Sequence, residues 1–95
     1  MKQAEPRDIR ALYQAIVSLK SVEECKRFLG DLLTENELAE FAERWQAARM
    51  LAAGESYQAI EDRTGLSSRT IARVARWVKE GNGGYRLMLK RIDEA

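Results

Sequence analysis

The sequence predicts an all-α protein of six helices in one domain. Apolar residues recur every three or four positions along most of the chain, which is the spacing of one helix face. No segment alternates apolar and polar residues as a half-buried strand would. The one proline, Pro6, suits the first turn of a helix, and glycines separate several of the apolar stretches.

The first two helices are predicted from their apolar stripes. The first spans about 7–19, and the second opens at a capping box in which Ser21 caps the helix and Glu24 reaches back. The stripes comprise Ile9, Leu12, Tyr13, Ile16 and Leu19, then Val22, Cys25, Phe28, Leu29 and Leu32. Cys25 is the only cysteine, so we expect a buried core residue and no disulfide or metal site.

The third predicted helix spans about 35–53, between a capping box at Thr34 and Glu37 and a glycine cap at Gly54. It carries two adjoining apolar stripes, one of Leu38, Phe41, Ala42, Trp45, Ala48 and Ala52, the other of Ala47, Met50 and Leu51. A helix buried on two sides is normally central to a core, and a chain of 95 residues has few helices to cover it. We therefore expect a second subunit to contribute.

Three shorter helices complete the prediction. Ser56 caps a helix of about 57–63, and Ser67 or Ser68 caps another of about 68–79. Residues 81–84 form a flexible glycine-rich break before a last helix of about 85–92.

Charge is unevenly distributed in this nearly neutral chain. Residues 1–62 carry 8 basic and 12 acidic side chains, whereas residues 63–95 carry 8 basic and 3 acidic ones. The C-terminal third is therefore basic, an asymmetry that the formal net charge of +1 conceals.

Residues 56–77 have the anatomy of a helix-turn-helix. Gly65 can adopt the left-handed turn between two short helices. Tyr57, Ile60, Leu66, Ile71 and Val74 are expected to pack the helices together, with Val78 also facing inward. Another face of the second helix carries arginines near a polar N-terminus, which suits reading of the major groove. The candidate DNA-binding residues are Gln58, Ser67, Ser68, Arg69, Thr70, Arg73 and Arg76.

Other interpretations stay open. The helix-turn-helix could dock a protein instead of DNA. Glu61 counts slightly against DNA binding, because the common helix-turn-helix pattern has a small residue at this position, four before the glycine. An altered crossing of the two helices, or an arginine paired with Glu61, would accommodate it. A small enzyme is disfavoured because the chain has no histidine and no phosphate-binding glycine motif. We expect no metal or cofactor. Trp45 and Trp77 are interpreted as core anchors. With no apolar signal core or membrane span, we expect a cytoplasmic protein.

An ordered set of short pieces resembles the tryptophan-repressor superfamily, and the whole chain resembles its YerC/YecD subgroup. The pieces are Leu32-Leu-Thr34, Glu37, Ala42-Glu-Arg44, Leu51, Gly54-Glu55, Gln58 and Thr70-Ile-Ala-Arg73. Their spacing fits apart from one residue fewer around the turn. The resemblance implies a bacterial transcription regulator, an intertwined homodimer of six-helix chains. Residues 7–53 and 85–92 would form the dimer core, and residues 56–79 the DNA-reading head.

The same resemblance implies a corepressor pocket between the third helix and the recognition helix. Thr34, Arg44 and Arg73 match residues that flank the corepressor in that family. A glycine that makes room for the indole is replaced by Val74, and a small serine one turn later is replaced by Trp77. The side chains of Val74 and Trp77 are therefore expected to fill the space that the corepressor occupies in that family. We expect DNA binding and repression without tryptophan as corepressor.

Overall fold

The computed structural model describes residues 3–94, and every regular element in that range is an α-helix. The helices are α1 Pro6–Val17, α2 Val22–Leu32, α3 Glu35–Ala52, α4 Tyr57–Thr64, α5 Ser68–Glu80 and α6 Gly84–Glu94. The predicted six-helix, all-α fold is confirmed. No helix in the described range is long and apolar enough to cross a bilayer.

The capping box at Thr34 is formed as predicted, and at Ser21 the cap forms while the return bond is shifted by one residue. Ser21 Oγ accepts a hydrogen bond from the backbone N–H of Glu24 at 3.1 Å. The Glu24 carboxylate accepts the N–H of Lys20 at 2.9 Å, one residue earlier than the cap itself. At α3, Thr34 Oγ1 accepts the N–H of Glu37 at 3.1 Å, and the Glu37 carboxylate accepts the N–H of Thr34 at 2.9 Å. These bonds satisfy backbone donors that a helix start leaves free, so they fix where α2 and α3 begin.

The chain divides into two compact units, Met1–Leu38 and Ala39–Ala95. In the first unit, neither α1 nor α2 has a buried residue. Cys25 is only partly buried, and Val22 is 87% exposed, so the expected burial of this stripe is wrong within the single chain. Both helices keep an apolar face that this chain leaves in solvent.

The second unit contains the core. Its buried side chains come from three helices and are Ala47, Ala48 and Met50 of α3, Ile60 of α4, and Ile71 and Val74 of α5. Trp45 and Tyr85 pack against this cluster, and their rings stack with centroids 6.3 Å apart and planes 3° apart. The stack joins α3 to α6, and it confirms Trp45 as a core residue.

Helix α3 is buried along its C-terminal half only. Phe41 and Leu38 remain exposed, whereas Ala47, Ala48 and Met50 are buried. Within one chain, the predicted burial is therefore met only in the C-terminal half. The exposed apolar surface is what a second subunit could cover, and that role stays a prediction.

Candidate nucleic-acid interface

A left-handed glycine joins α4 to α5. The backbone of Gly65 has φ 77°, and its N–H donates to the Glu61 carbonyl at 2.8 Å, which closes α4. Thr64 Oγ1 donates to the Ile60 carbonyl at 2.7 Å and accepts the N–H of Leu66 at 3.1 Å. Because a side chain at positive φ is strained, glycine is the residue that this turn requires. The predicted turn is confirmed.

Serine hydroxyls fix the start of both helices. At α4, Ser56 Oγ accepts the N–H of Ala59 at 3.1 Å. At α5, Ser67 Oγ accepts the N–H of Thr70 at 3.1 Å. Of the two candidate caps for α5, the structure thus selects Ser67, and Ser68 becomes the first helical residue.

The two helices pack through apolar residues. Ile60 and Ile71 are fully buried, Val74 is 3% exposed, and Leu66 and Val78 pack partly buried against them. These placements agree with the predicted inward face. The hydroxyphenyl ring of Tyr57 is an exception, since this residue is 43% exposed and lies outside the core of the chain.

The opposite face of α5 is basic and open to solvent. Arg69, Arg73 and Arg76 are all exposed. Arg76 Nε lies 3.3 Å from Glu80 Oε2, in a surface ion pair that spans one helix turn. Sequence reasoning missed this partner, although opposite charges four positions apart on a helix commonly pair.

The other polar residues of the head are also placed. Gln58, the candidate phosphate contact of α4, donates a hydrogen bond from Nε2 to Asp62 Oδ1 at 2.9 Å. One of its two amide hydrogens is therefore used within the helix. Glu61 is partly buried. Across the described residues it makes no ion pair, so the suggested pairing with an arginine is not formed.

The positions that match the corepressor pocket differ in burial and in their hydrogen-bond partners. Val74 is buried, and the Arg44 guanidinium lies 5.1 Å from the centre of the Phe41 ring with Nε buried and lacking a hydrogen-bond partner. Thr34 belongs to the first unit and is engaged in the cap of α3. Trp77 is 51% exposed, so its interpretation as a core anchor is wrong within the single chain.

A short helix, a left-handed glycine turn and a serine-capped second helix with a basic outer face define a helix-turn-helix protein. The profile of the family described as Trp repressor protein matches residues 7–93. The chain belongs to the Trp repressor family, a family of helix-turn-helix DNA-binding regulators.

Relatives and solved structures agree with this assignment. The chain is 44% identical over 88 residues to the uncharacterised protein YerC of Bacillus subtilis strain 168, covering 93% of this chain and 85% of that protein. A TrpR-like protein from Eubacterium eligens has a similar structure, with 36% identity, a TM-score of 0.89 and coverage of 94% of this chain and 92% of that one. A crystal structure of a candidate Trp repressor from Staphylococcus aureus gives 37% identity, a TM-score of 0.87 and coverage of 94% and 89%.

Proposed function

We propose that this protein is a sequence-specific, homodimeric DNA-binding repressor that acts without tryptophan as corepressor. The observation that carries the proposal is the two-sided character of α5. Its inner face is buried against α4 through Ile71 and Val74, whereas its outer face exposes Arg69, Arg73 and Arg76. A helix held firmly on one side and basic on the other suits insertion into the major groove.

Each candidate DNA-binding residue has a proposed role. Arg69 and Arg73 read base edges, because arginine can bind guanine through two hydrogen bonds. Ser68 and Thr70 assist near the bases at the start of α5. Arg76 and Gln58 contact phosphates, and Ser67 combines its cap with a phosphate contact, as hydroxyls and helix N-termini commonly do.

A homodimer would cover the apolar surface that the single chain exposes. The exposed residues include Ile9, Ile16, Val22, Leu32, Phe41, Leu87, Met88 and Ile92. Such a quantity of exposed apolar side chains is unusual for a protein that works as a monomer. Two heads related by a twofold axis would read half-sites about 34 Å apart, one DNA turn, so the preferred site should be a rough palindrome. Light scattering that finds only the 10.8 kDa monomer in concentrated solution would contradict this arrangement.

The test of function is selection of bound duplexes from a random pool, followed by titration of the selected site at several salt concentrations. We expect an enriched palindrome and an affinity that falls steeply as salt rises, because bound arginines release counterions from phosphates. A head that docks a protein would enrich no sequence. Equal affinity for selected and scrambled duplexes would contradict sequence-specific binding.

A further inference from the structure

Trp77 is a large aromatic residue in an unexpected place. It is 51% exposed on α5, and it follows Arg73 by four positions, so it lies one turn further along the same side of the helix. Tryptophan is more commonly a highly buried residue. The exposed indole therefore extends the basic face of the recognition helix with a neutral hydrogen-bond donor.

One side of Trp77 borders a small cleft on α5 that is otherwise lined by charged residues. The cleft has a volume of about 280 Å³ and is lined by Arg73, Arg76, Trp77 and Glu80. Its one carboxylate, Glu80, contacts Nε of Arg76 at 3.3 Å. Two guanidinium groups and one carboxylate give the cleft a net positive charge, and Trp77, which also lines it, carries an indole N–H donor. Such a set of donors suits an oxyanion.

The other side of Trp77 borders apolar side chains. A second cleft, of about 500 Å³, is lined by residues that include Trp77, Trp45, Tyr85 and Met88. The ring also lies close to Gly81, the residue that follows α5, because a side-chain Cβ built at Gly81 would be 3.2 Å from Trp77 Cε3. Indole has an apolar body and one polar N–H, so it suits a boundary between a cleft with apolar side chains and one with charged side chains.

We propose that Trp77 is a DNA-backbone contact, which donates its indole N–H to an operator phosphate held in the cleft beside Arg76. The inference rests on the proposed function and adds a residue to the DNA interface. Arg73 also lines the cleft, so its charge attracts the phosphate while its guanidinium keeps the base contact proposed above. Because indole is uncharged, this contact adds affinity without adding to the number of counterions released.

The first test compares salt titrations of the selected operator with three variants. Trp77→Phe keeps an aromatic ring and loses the N–H, so we expect affinity to fall about tenfold at every salt concentration while the slope against salt is unchanged. Arg76→Ala should lower the slope by about one. Trp45→Phe, which changes a partly buried member of the Trp45–Tyr85 stack, is the matched control and should bind like the wild type. Circular dichroism verifies that each variant is folded.

The second test uses fluorescence. Trp45 and Trp77 are the two tryptophans of the chain, so Trp45→Phe leaves Trp77 as the sole emitter, and Trp77→Phe leaves Trp45. We expect operator DNA to quench or shift the emission of Trp77 and to leave that of Trp45 unchanged.

Different results would contradict the proposed DNA-binding function and the Trp77 contact. If the wild type binds no DNA, the proposed function fails together with the contact. If the wild type binds with normal salt dependence and Trp77→Phe binds equally well, the Trp77 contact alone is overturned. It is also overturned if the loss in Trp77→Phe vanishes at concentrations that restore a dimer, because the indole then acts at a subunit contact.

Discussion

Ser67 and Thr70 are joined by two hydrogen bonds at the start of the recognition helix. Ser67 Oγ accepts the backbone N–H of Thr70 at 3.1 Å, and it donates to Thr70 Oγ1 at 3.0 Å. The first bond caps α5, and the second orients the threonine hydroxyl near the proposed DNA surface. One serine therefore links the stability of this helix to the positioning of a candidate DNA contact.

Replacing Ser67 by alanine should destabilise the protein. The change leaves the N–H of Thr70 without its cap, and we expect the free energy of unfolding to fall by about 1 kcal/mol. Urea denaturation measures this. Ser68→Ala is the matched control, because Ser68 is the first residue within α5 and makes no cap bond. Equal losses in the two variants would contradict the assignment of Ser67 as the cap.

Replacing two of the glycines by alanine should change the stability of the protein in opposite directions. Gly65 has φ 77°, so Gly65→Ala should be destabilising by roughly 1 kcal/mol, since alanine is strained there. Gly30 lies within α2, and a Cβ there would meet no atom within 4 Å. Gly30→Ala should therefore be stabilising by about 0.5–1 kcal/mol. Thermal unfolding of both variants is the measurement, and a stabilising Gly65→Ala would disprove the need for a left-handed turn.

Removing Arg69 and Arg73 together should weaken binding to the selected operator. Loss of a bidentate contact to guanine costs about 1–3 kcal/mol and relaxes specificity at that base pair. The control is Arg7→Ala with Arg10→Ala, which removes the same charge from exposed positions of α1. Gel-shift titration of both double variants at one salt concentration is the measurement. Wild-type affinity in the Arg69/Arg73 variant would exclude these two residues as base contacts.

Free L-tryptophan should not bind. Val74 is 3% exposed and belongs to the buried core cluster of α3, α4 and α5, and overfilling a packed site typically costs about 1–3 kcal/mol. The Thr34 hydroxyl is also engaged, because it accepts the N–H of Glu37 at 3.1 Å. Calorimetry should give no saturable heat, and operator affinity should be equal with and without the amino acid. A stoichiometric signal that tightens DNA binding would restore a corepressor-dependent role.

The cap of α3 should make the free energy of unfolding depend on pH in the acidic range. The backbone N–H and the hydroxyl of Thr34 hydrogen-bond to the Glu37 carboxylate and lower the pKa of that carboxyl below its ordinary value. The unfolded state therefore takes up the proton first as pH falls. The contribution of this cap to stability is complete above the ordinary pKa, and it is lost as pH falls through the lowered one.

Denaturation of the wild type and Glu37→Gln between neutral and acidic pH tests this dependence. The wild type should be the more stable protein at neutral pH, and the difference should shrink as Glu37 becomes protonated. Glu40→Gln, an exposed carboxyl change within the same helix, is the control. A difference that persists unchanged at the acidic end would contradict the assignment.

Local sequence was sufficient to predict the elements of the fold and much of the candidate site. Ser21, Thr34 and Ser56 cap their helices as expected, because a cap depends on residues three positions apart. Gly65 adopts the predicted turn, because few residues other than glycine tolerate positive φ. Ile71 and Val74 face inward because helical spacing assigns them to one side of α5. These features require no knowledge of distant parts of the chain.

Tertiary structure decided which predicted apolar faces are covered. The sequence predicts burial of Tyr57, Val22 and Trp77, yet all three are exposed. The stack of Trp45 on Tyr85 depends on two helices 40 positions apart in sequence. Periodicity identifies a face that can be buried, whereas burial itself requires a second surface to arrive there. The sequence alone therefore determined the helices and the basic face of α5, and the packing of the chain determined that Trp77 stays accessible beside it.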